Sequence, residues 1–237
     1  MINGTAVRHT ACVRLGGRDH MSTRAPKNLT GADVVRAALV VLNDVGLDGL
    51  TMRLVAKQLG VQLNTVYWHA KNKPELLEMV ADAVLDDCGS VALSGDWQER
   101  LAALLNSYRH ALLRHRDGAR LVAGTYSVMP NTLALSEQLT STFLAAGFSE
   151  EVATWATWHS SALVLGLVLE QQGEPEDWRQ RLDHGVDATQ YPSVKVAHEH
   201  HVSGDHDARF DFSRDLLLRG LDSLLHETER IRLDTRP

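Results

Sequence analysis

Apolar residues along this chain recur at three- and four-residue intervals, and no stretch alternates convincingly as a strand would, so the pattern predicts an all-α fold. The first 28 residues depart from it. They mix Gly16, Gly17, Arg8, Arg14, Arg18 and Arg24 without a helical period and close near Pro26, which predicts a flexible arm over residues 1–28. Met21 offers an alternative start, and a basic arm that touches DNA is the other reading. From Thr30, with Asp33 three residues on, Val34, Ala37, Ala38, Val41, Leu42 and Val45 mark one face of a helix that Gly46 stops. Thr51 caps a second helix over Met52 to Leu59, and Gly60 supplies a sharp left-handed turn. A third helix is expected from about Gln62 to His69, and Lys73-Pro74 opens a fourth that reaches about Asp86.

Further helices are expected over Trp97 to Arg114, Asp117 to Gly124, Asn131 to Ala146, Ser149 to Gln172 and Asp207 to Glu229. Residues 173–205 are polar, contain Pro175, Pro192 and several histidines, and are expected to form a mobile or partly helical excursion. The expected division is the arm, a helix-turn-helix domain over 29–74, and a helical ligand-binding and dimerisation bundle over 75–237.

The unit from Thr51 to His69 carries the packing demands of a helix-turn-helix. Ala56 is small where two helices must cross, and Leu54, Val55, Leu59, Val61 and Val66 supply apolar contacts. Burying them leaves Gln62, Asn64, Thr65, Tyr67, Trp68, His69, Lys71 and Lys73 on the outside. Asn and Gln can pair with adenine edges, Arg53 can read guanine, and Thr, Tyr, His and Lys can hold phosphates. The formal net charge of -6 argues against a uniformly basic protein. Between Arg24 and Pro74, however, Arg24, Lys27, Arg36, Arg53, Lys57, Lys71 and Lys73 face only Asp33, Asp44 and Asp48. DNA binding is therefore expected to be regional, on double-stranded DNA. The competing reading is an ordinary helical hairpin whose Tyr67-Trp68 pair is core.

Cys12 and Cys88 stand far apart and without a CxxC partner, which predicts neither a disulfide framework nor a zinc site and fits a cytoplasmic setting. The longest apolar run, Ser161 to Leu169, is too short to span a bilayer, so no membrane role is expected. The His198-Glu199-His200-His201 run with His206 fits neither HExxH nor a Cys/His finger, and His159-Ser160 lacks a GxSxG context. No catalytic residue, metal or cofactor is expected.

The segments GLDGLTMRLVAKQLGV and NTVYWHAKNKPELL closely resemble the N-terminal domain of the tetracycline-repressor family, across all four helices from Leu29 to Leu77. HALLRHRDGARLVAGT and LGLVLEQQ resemble segments further along the tetracycline repressors. The resemblance implies a ligand-released repressor acting as a homodimer. It implies that Arg53 reads a base, that Thr51, Thr65, Tyr67, His69 and Lys73 clamp phosphates, and that Trp68 packs against the backbone. Leu63 and Asn64 stand where tetracycline repressors carry Gln and Pro, so a different operator is expected. For the effector, the resemblance implies a pocket lined by Tyr108, Thr125, Gln138 and Glu170, with Val122 and Leu139 nearby. Val122 stands where a histidine binds the drug's magnesium, and Leu104 where an Asn bonds the drug. Losing that imidazole removes the one direct protein bond to a hard cation, which favours a different planar or polyketide-like effector over a magnesium-chelated tetracycline. Trp155, Trp158 and His159 are expected to help hold it. The stripes Ala162, Leu165, Leu169 and Leu217, Leu218, Leu221, Leu224, Leu225 are the expected dimer faces. The rivals are a small-molecule-binding protein that no longer represses and a metal-dependent enzyme built on the histidine run.

Overall fold

The computed structural model of the chain describes residues 29–202 and 205–234, and among these it has eleven helices and no strand. The expected arm over residues 1–28 lies outside them. Four short helices come first: α1 (Gly31–Gly49), α2 (Met52–Leu59), α3 (Leu63–Tyr67) and α4 (Lys73–Val84). Their starts are written in side chains. Thr30 Oγ1 accepts from the Asp33 N–H while the Asp33 carboxylate accepts from the Thr30 N–H, closing a reciprocal cap on α1. Thr51 caps α2 through the Leu54 N–H at 3.2 Å, and Asn72 caps α4 through the Glu75 N–H at 2.8 Å. At Gly46 the φ of +75° breaks α1 within its last turns, and at Gly60 the φ of +67° ends α2 and turns the chain into α3. The third helix is shorter than expected because its last turn tightens, with the His69 and Ala70 N–H groups both donating to Val66 O.

Val34, Ala38, Leu42, Leu50, Val55, Val66, Ala70, Leu76 and Val80 are fully buried, and the core they begin runs on into the second half, where α4 packs on α6 and α7. A short 3-10 turn at Cys88–Ser90 leads onward to α5 (Trp97–Leu113), α6 (Gly118–Ala123), α7 (Pro130–Ala146) and α8 (Glu150–Gly173). Here α5, α7 and α8 pack against one another around Leu101, Leu105, Leu112, Leu139, Phe143, Val164 and Val168, and α6 is wedged between α4 and α8. Edge-on contacts of Phe148 with Trp97 and Phe143, at 5.6 and 5.8 Å between ring centres, seal one end.

The segment expected as an excursion is helical in two places, α9 (Trp178–Gly185) and α10 (Pro192–Val202). Sequence reading favoured a loop because the composition is polar; the two helices lean mainly on each other, and α9 buries no residue. The long α11 (His206–Asp234) returns to pack on α8 and α5. There Arg109, almost fully buried, pairs with Asp207 at 2.7 Å, donates to Gln171 Oε1 at 3.0 Å, and lies over the Phe210 ring. By length and hydropathy alone α8 could cross a membrane, but one face of it is buried on α5 and α7 and another meets α11.

Candidate nucleic-acid interface and effector core

The second and third helices owe their mutual angle to Val55, Ala56 and Val66, each buried at the crossing, and to the left-handed Gly60 between them. That packing decides what is left outside. Arg53, Gln62, Asn64, Tyr67, Trp68 and Lys71 are exposed, while Thr65, His69 and Lys73 are half-buried at their margins. Trp68 is 86 % exposed, so the hairpin reading in which Tyr67-Trp68 is core does not hold. Together Tyr67 and Trp68 put two large rings on the same exposed surface as Gln62, Asn64 and Lys71. Among the described residues, Arg53, Lys57, Lys71 and Lys73 form no salt bridge, which leaves their charges available to phosphate; Arg36 by contrast is paired with Asp33. Thr51 spends its oxygen lone pair on the cap, and its exposed hydroxyl hydrogen is still free to donate.

In the second half, Tyr108 is buried on α5, where loss of water, and secondarily Cys88, pushes its hydroxyl well above the ordinary tyrosine range. The Gln138 amide nitrogen on α7 donates to Gly89 O, while its Oε1 is buried with no hydrogen-bond partner. Leu139 is buried beside it in sequence, and Val122 and Thr125 flank the end of α6, with Thr125 Oγ1 donating to Val122 O at 3.2 Å. Cys88 contacts this neighbourhood through Ser107 O; burial pushes its thiol up to about 11, which makes it a packing residue rather than a nucleophile. Tyr108, Gln138 and the Cys88-Gly89 turn are thus brought together from three parts of the chain.

Comparison with known proteins fits this two-part arrangement. Residues 34–80 match the family described as bacterial regulatory proteins, tetR family, and residues 92–225 match the tetracyclin repressor-like C-terminal domain. The chain is 38 % identical over 209 residues to the tetracycline repressor protein class C of Escherichia coli, covering 84 % of this chain and 93 % of that protein. The chain belongs to the TetR family. Its structure is similar to that of a possible TetR family regulator from Streptomyces coelicolor A3(2), with a TM-score of 0.76 at 36 % identity, covering 82 % of this chain and all of the other. It is also similar to the TetR family protein ActR of Streptomyces coelicolor in complex with actinorhodin, with a TM-score of 0.73 at 29 % identity, covering 83 % and 96 % of the two chains.

Within this TetR-family fold the expected effector residues divide into two groups. Tyr108, Val122, Thr125, Gln138 and Leu139 sit on α5, on α6 and the residues just after it, and on α7. Trp155, Trp158 and His159 do not join them in the chain: all three are exposed on the outer side of α8, and Trp155 and His159 line an open groove of about 490 Å³ with Leu216, Leu217 and Leu221 of α11. The cause is the register of α8, whose inner face is taken by Ala153, Ala156, Thr157 and Ser160. Glu170 likewise faces α11, where it pairs with Arg209, and does not point at Gln138. Two of the histidines lie beside carboxylates, His198 2.9 Å from Asp183 and His206 3.2 Å from Glu174. Among the described residues no cluster of three or more metal-ligating side chains forms.

Sequence reading missed Asp82. It is buried on α4 and accepts from both the N–H and the hydroxyl of Thr132, at 2.9 and 3.0 Å, while its own carbonyl accepts from Asn131. The residue before α7, Met129, offers no side-chain cap, so α4 supplies one from fifty positions away. The available clue was a carboxylate set among the apolar residues of the last two turns of α4, between Val80 and Val84.

Proposed function

We propose that this TetR-family protein is a homodimeric repressor that grips a palindromic operator through α2 and α3 and lets go when a small molecule occupies the core around Tyr108 and Gln138. The single observation that carries the DNA reading is the exposed, donor-rich surface of the helix-turn-helix, with Trp68 and the cations Arg53 and Lys71 in water and Lys73 at its margin, none of the three in a salt bridge among the described residues. Arg53, Gln62 and Asn64 supply groups for base edges; Thr51, Thr65, Tyr67, His69, Lys71 and Lys73 supply groups for phosphates. One recognition helix covers a half-site, so two copies held about 34 to 36 Å apart are needed to meet successive major grooves. The outer face of α8 and α11, with Trp155, Leu216 and Leu224 exposed over the buried Leu217 and Leu221, is where the second copy would seat, which also removes an exposed apolar patch from water.

For the effector, the unpartnered Gln138 Oε1 and the buried Tyr108 hydroxyl provide an acceptor and a donor in apolar surroundings, suited to a flat, oxygen-rich molecule. Valine at 122 and a fully buried Leu104 offer no imidazole to a magnesium ion and no amide to a chelated drug. This favours a polyketide-like compound, the class to which the actinorhodin bound to ActR points, over the magnesium-tetracycline reading that identity to tetracycline repressors supports.

The test is selection of bound duplexes from random DNA, followed by release of the selected palindrome with actinorhodin and, separately, with magnesium-minocycline. Arg53→Ala is expected to cost about 1 to 3 kcal/mol and to relax choice at one base pair, whereas Lys73→Ala weakens all sequences alike and lowers the salt slope by about one. Equal losses for Arg53→Ala on selected and random DNA would remove its base-reading role.

A further inference from the structure

At the junction between the two halves, the turn joining α5 to α6 is held from both sides. On one side it grips the end of α1. The Leu47 N–H, left without an intrahelical partner by the break at Gly46, donates to Asp117 Oδ2 at 2.8 Å. Arg116 donates through its backbone N–H to Asn43 Oδ1 and through its guanidinium to Asp44 O, both at 3.0 Å. Arg120 forms a two-pronged pair with Asp48 at 2.7 and 2.8 Å. On the other side the turn is gripped by one amide of α8: Gln172 Nε2 donates to Leu112 O at 3.1 Å and His115 O at 2.9 Å, and Gln172 Oε1 accepts from the Ala119 N–H at 3.1 Å.

Two backbone irregularities meet in this contact. Asp117, with φ of +56°, is the one non-glycine residue among those described that adopts a positive φ. It faces Gly46, at +75°, so closely that a methyl group there would come within 2.8 Å of its carboxylate. Such conformations persist only where the surroundings over-determine them, and their concentration at one contact between two halves marks a joint rather than a filler. The Asp48–Arg120 pair is exposed and by itself contributes little, so the joint rests on Asp117 and Gln172.

We propose that Gln172, the α5–α6 turn and Asp117 form a relay that ties α8 to α1 and thereby fixes the orientation of the helix-turn-helix relative to the dimer helices. Asp117 and Gln172 are positioning residues, since neither lies on the face offered to DNA. The inference rests on the repressor reading. A loosened relay leaves each recognition surface intact and makes the spacing between the two copies variable, so it harms binding to two half-sites and spares binding to one.

The experiment compares three duplexes: the selected palindrome, the same palindrome with its half-sites moved apart by one base pair, and a single half-site. Asp117→Ala and Gln172→Ala are each expected to lose about tenfold on the palindrome, to lose less than about twofold on the half-site, and to discriminate poorly against the widened palindrome. The double variant is expected to be no worse than the weaker single one, because both cut the same chain of contacts. Asp117→Asn, which keeps an acceptor for Leu47 N–H and tolerates the left-handed backbone, is expected to remain within about twofold of the unaltered protein. If Asp117→Ala does not fold, Gln172→Ala read against Gln172→Glu, which keeps the acceptor for Ala119 N–H and loses both donors, carries the same test. Unaltered protein that binds no duplex defeats the repressor reading and the relay with it. Unaltered protein that binds while the variants lose equally on all three duplexes, or lose nothing, overturns the relay alone.

Discussion

The helix-turn-helix and the α8–α11 face sit in one chain yet manage apolar surface in opposite ways. The first buries its apolar residues among four helices and, through α4, against α6 and α7, aided by three side-chain caps and a left-handed glycine, and keeps just Tyr67 and Trp68 as large rings in water. The second leaves Trp155, Trp158, Phe212 and Leu216 more than half exposed along two long helices. In the proposed repressor, the unit that meets a polar, charged surface keeps little apolar area in water, and the unit that meets a copy of itself leaves packing to be completed by that copy.

The comparison can be broken most severely at the unfinished face. Trp155→Glu with Leu216→Glu is expected to yield a folded monomer by sedimentation, because both side chains are exposed in the single chain, and to drop operator affinity toward the non-specific level, by roughly a thousandfold or more. Next comes Phe143→Ala, which removes a fully buried ring from the second-half core; denaturant unfolding should report a loss of about 3 to 5 kcal/mol. In the DNA-binding half the cap Thr51→Ala is worth about 1 kcal/mol by the same measurement, since it orphans the Leu54 N–H on a helix of only eight residues. The smallest effect is with pH. Asp33 is held below the ordinary carboxylate value of 3.8, first by the Thr30 hydroxyl, and Asp48 is held below it first by Arg120. The unfolded chain therefore takes up these protons before the folded one does. Their contribution is complete above that ordinary value and fades as pH falls through the depressed folded values. The unfolding midpoint should not respond to these two groups between about pH 8 and 5 and should lose their support below about pH 4.

Legibility in the sequence followed the range of the interactions. Thr30, Thr51, Gly60 and Pro74 act within three or four residues of themselves, so the helices they begin or end fell within a residue or two of expectation. The reading face followed, because burying Val55, Ala56 and Val66 leaves no other side for Arg53, Asn64 and Tyr67. The effector residues were legible only in part. Tyr108, Gln138 and Leu139 lie on inner faces, but Trp155, Trp158 and His159 could not be told from pocket residues, since α8 is apolar nearly all round and its register against α5 and α7 decides which rings turn outward. Residues 173–205 were legible only as a partly helical excursion, without helix bounds: α9 and α10 are helices with little to bury, and hydrophobic periodicity has nothing to register there. Least legible were Asp82, Asp117 and Gln172, whose partners lie about 50 to 70 positions away and whose roles exist only once the helices have met.

The cap that α4 lends to α7 also orders events during synthesis. By the time Thr132 leaves the ribosome, the segment carrying Asp82 has already emerged and can have settled among the first four helices. The newcomer then docks onto a waiting carboxylate, and the first turn of α7 is templated by material made earlier. A chain permuted so that α7 is translated before α4 would have to hold the opening amides of that helix bare until α4 emerged, and its folding during synthesis should be delayed to that point.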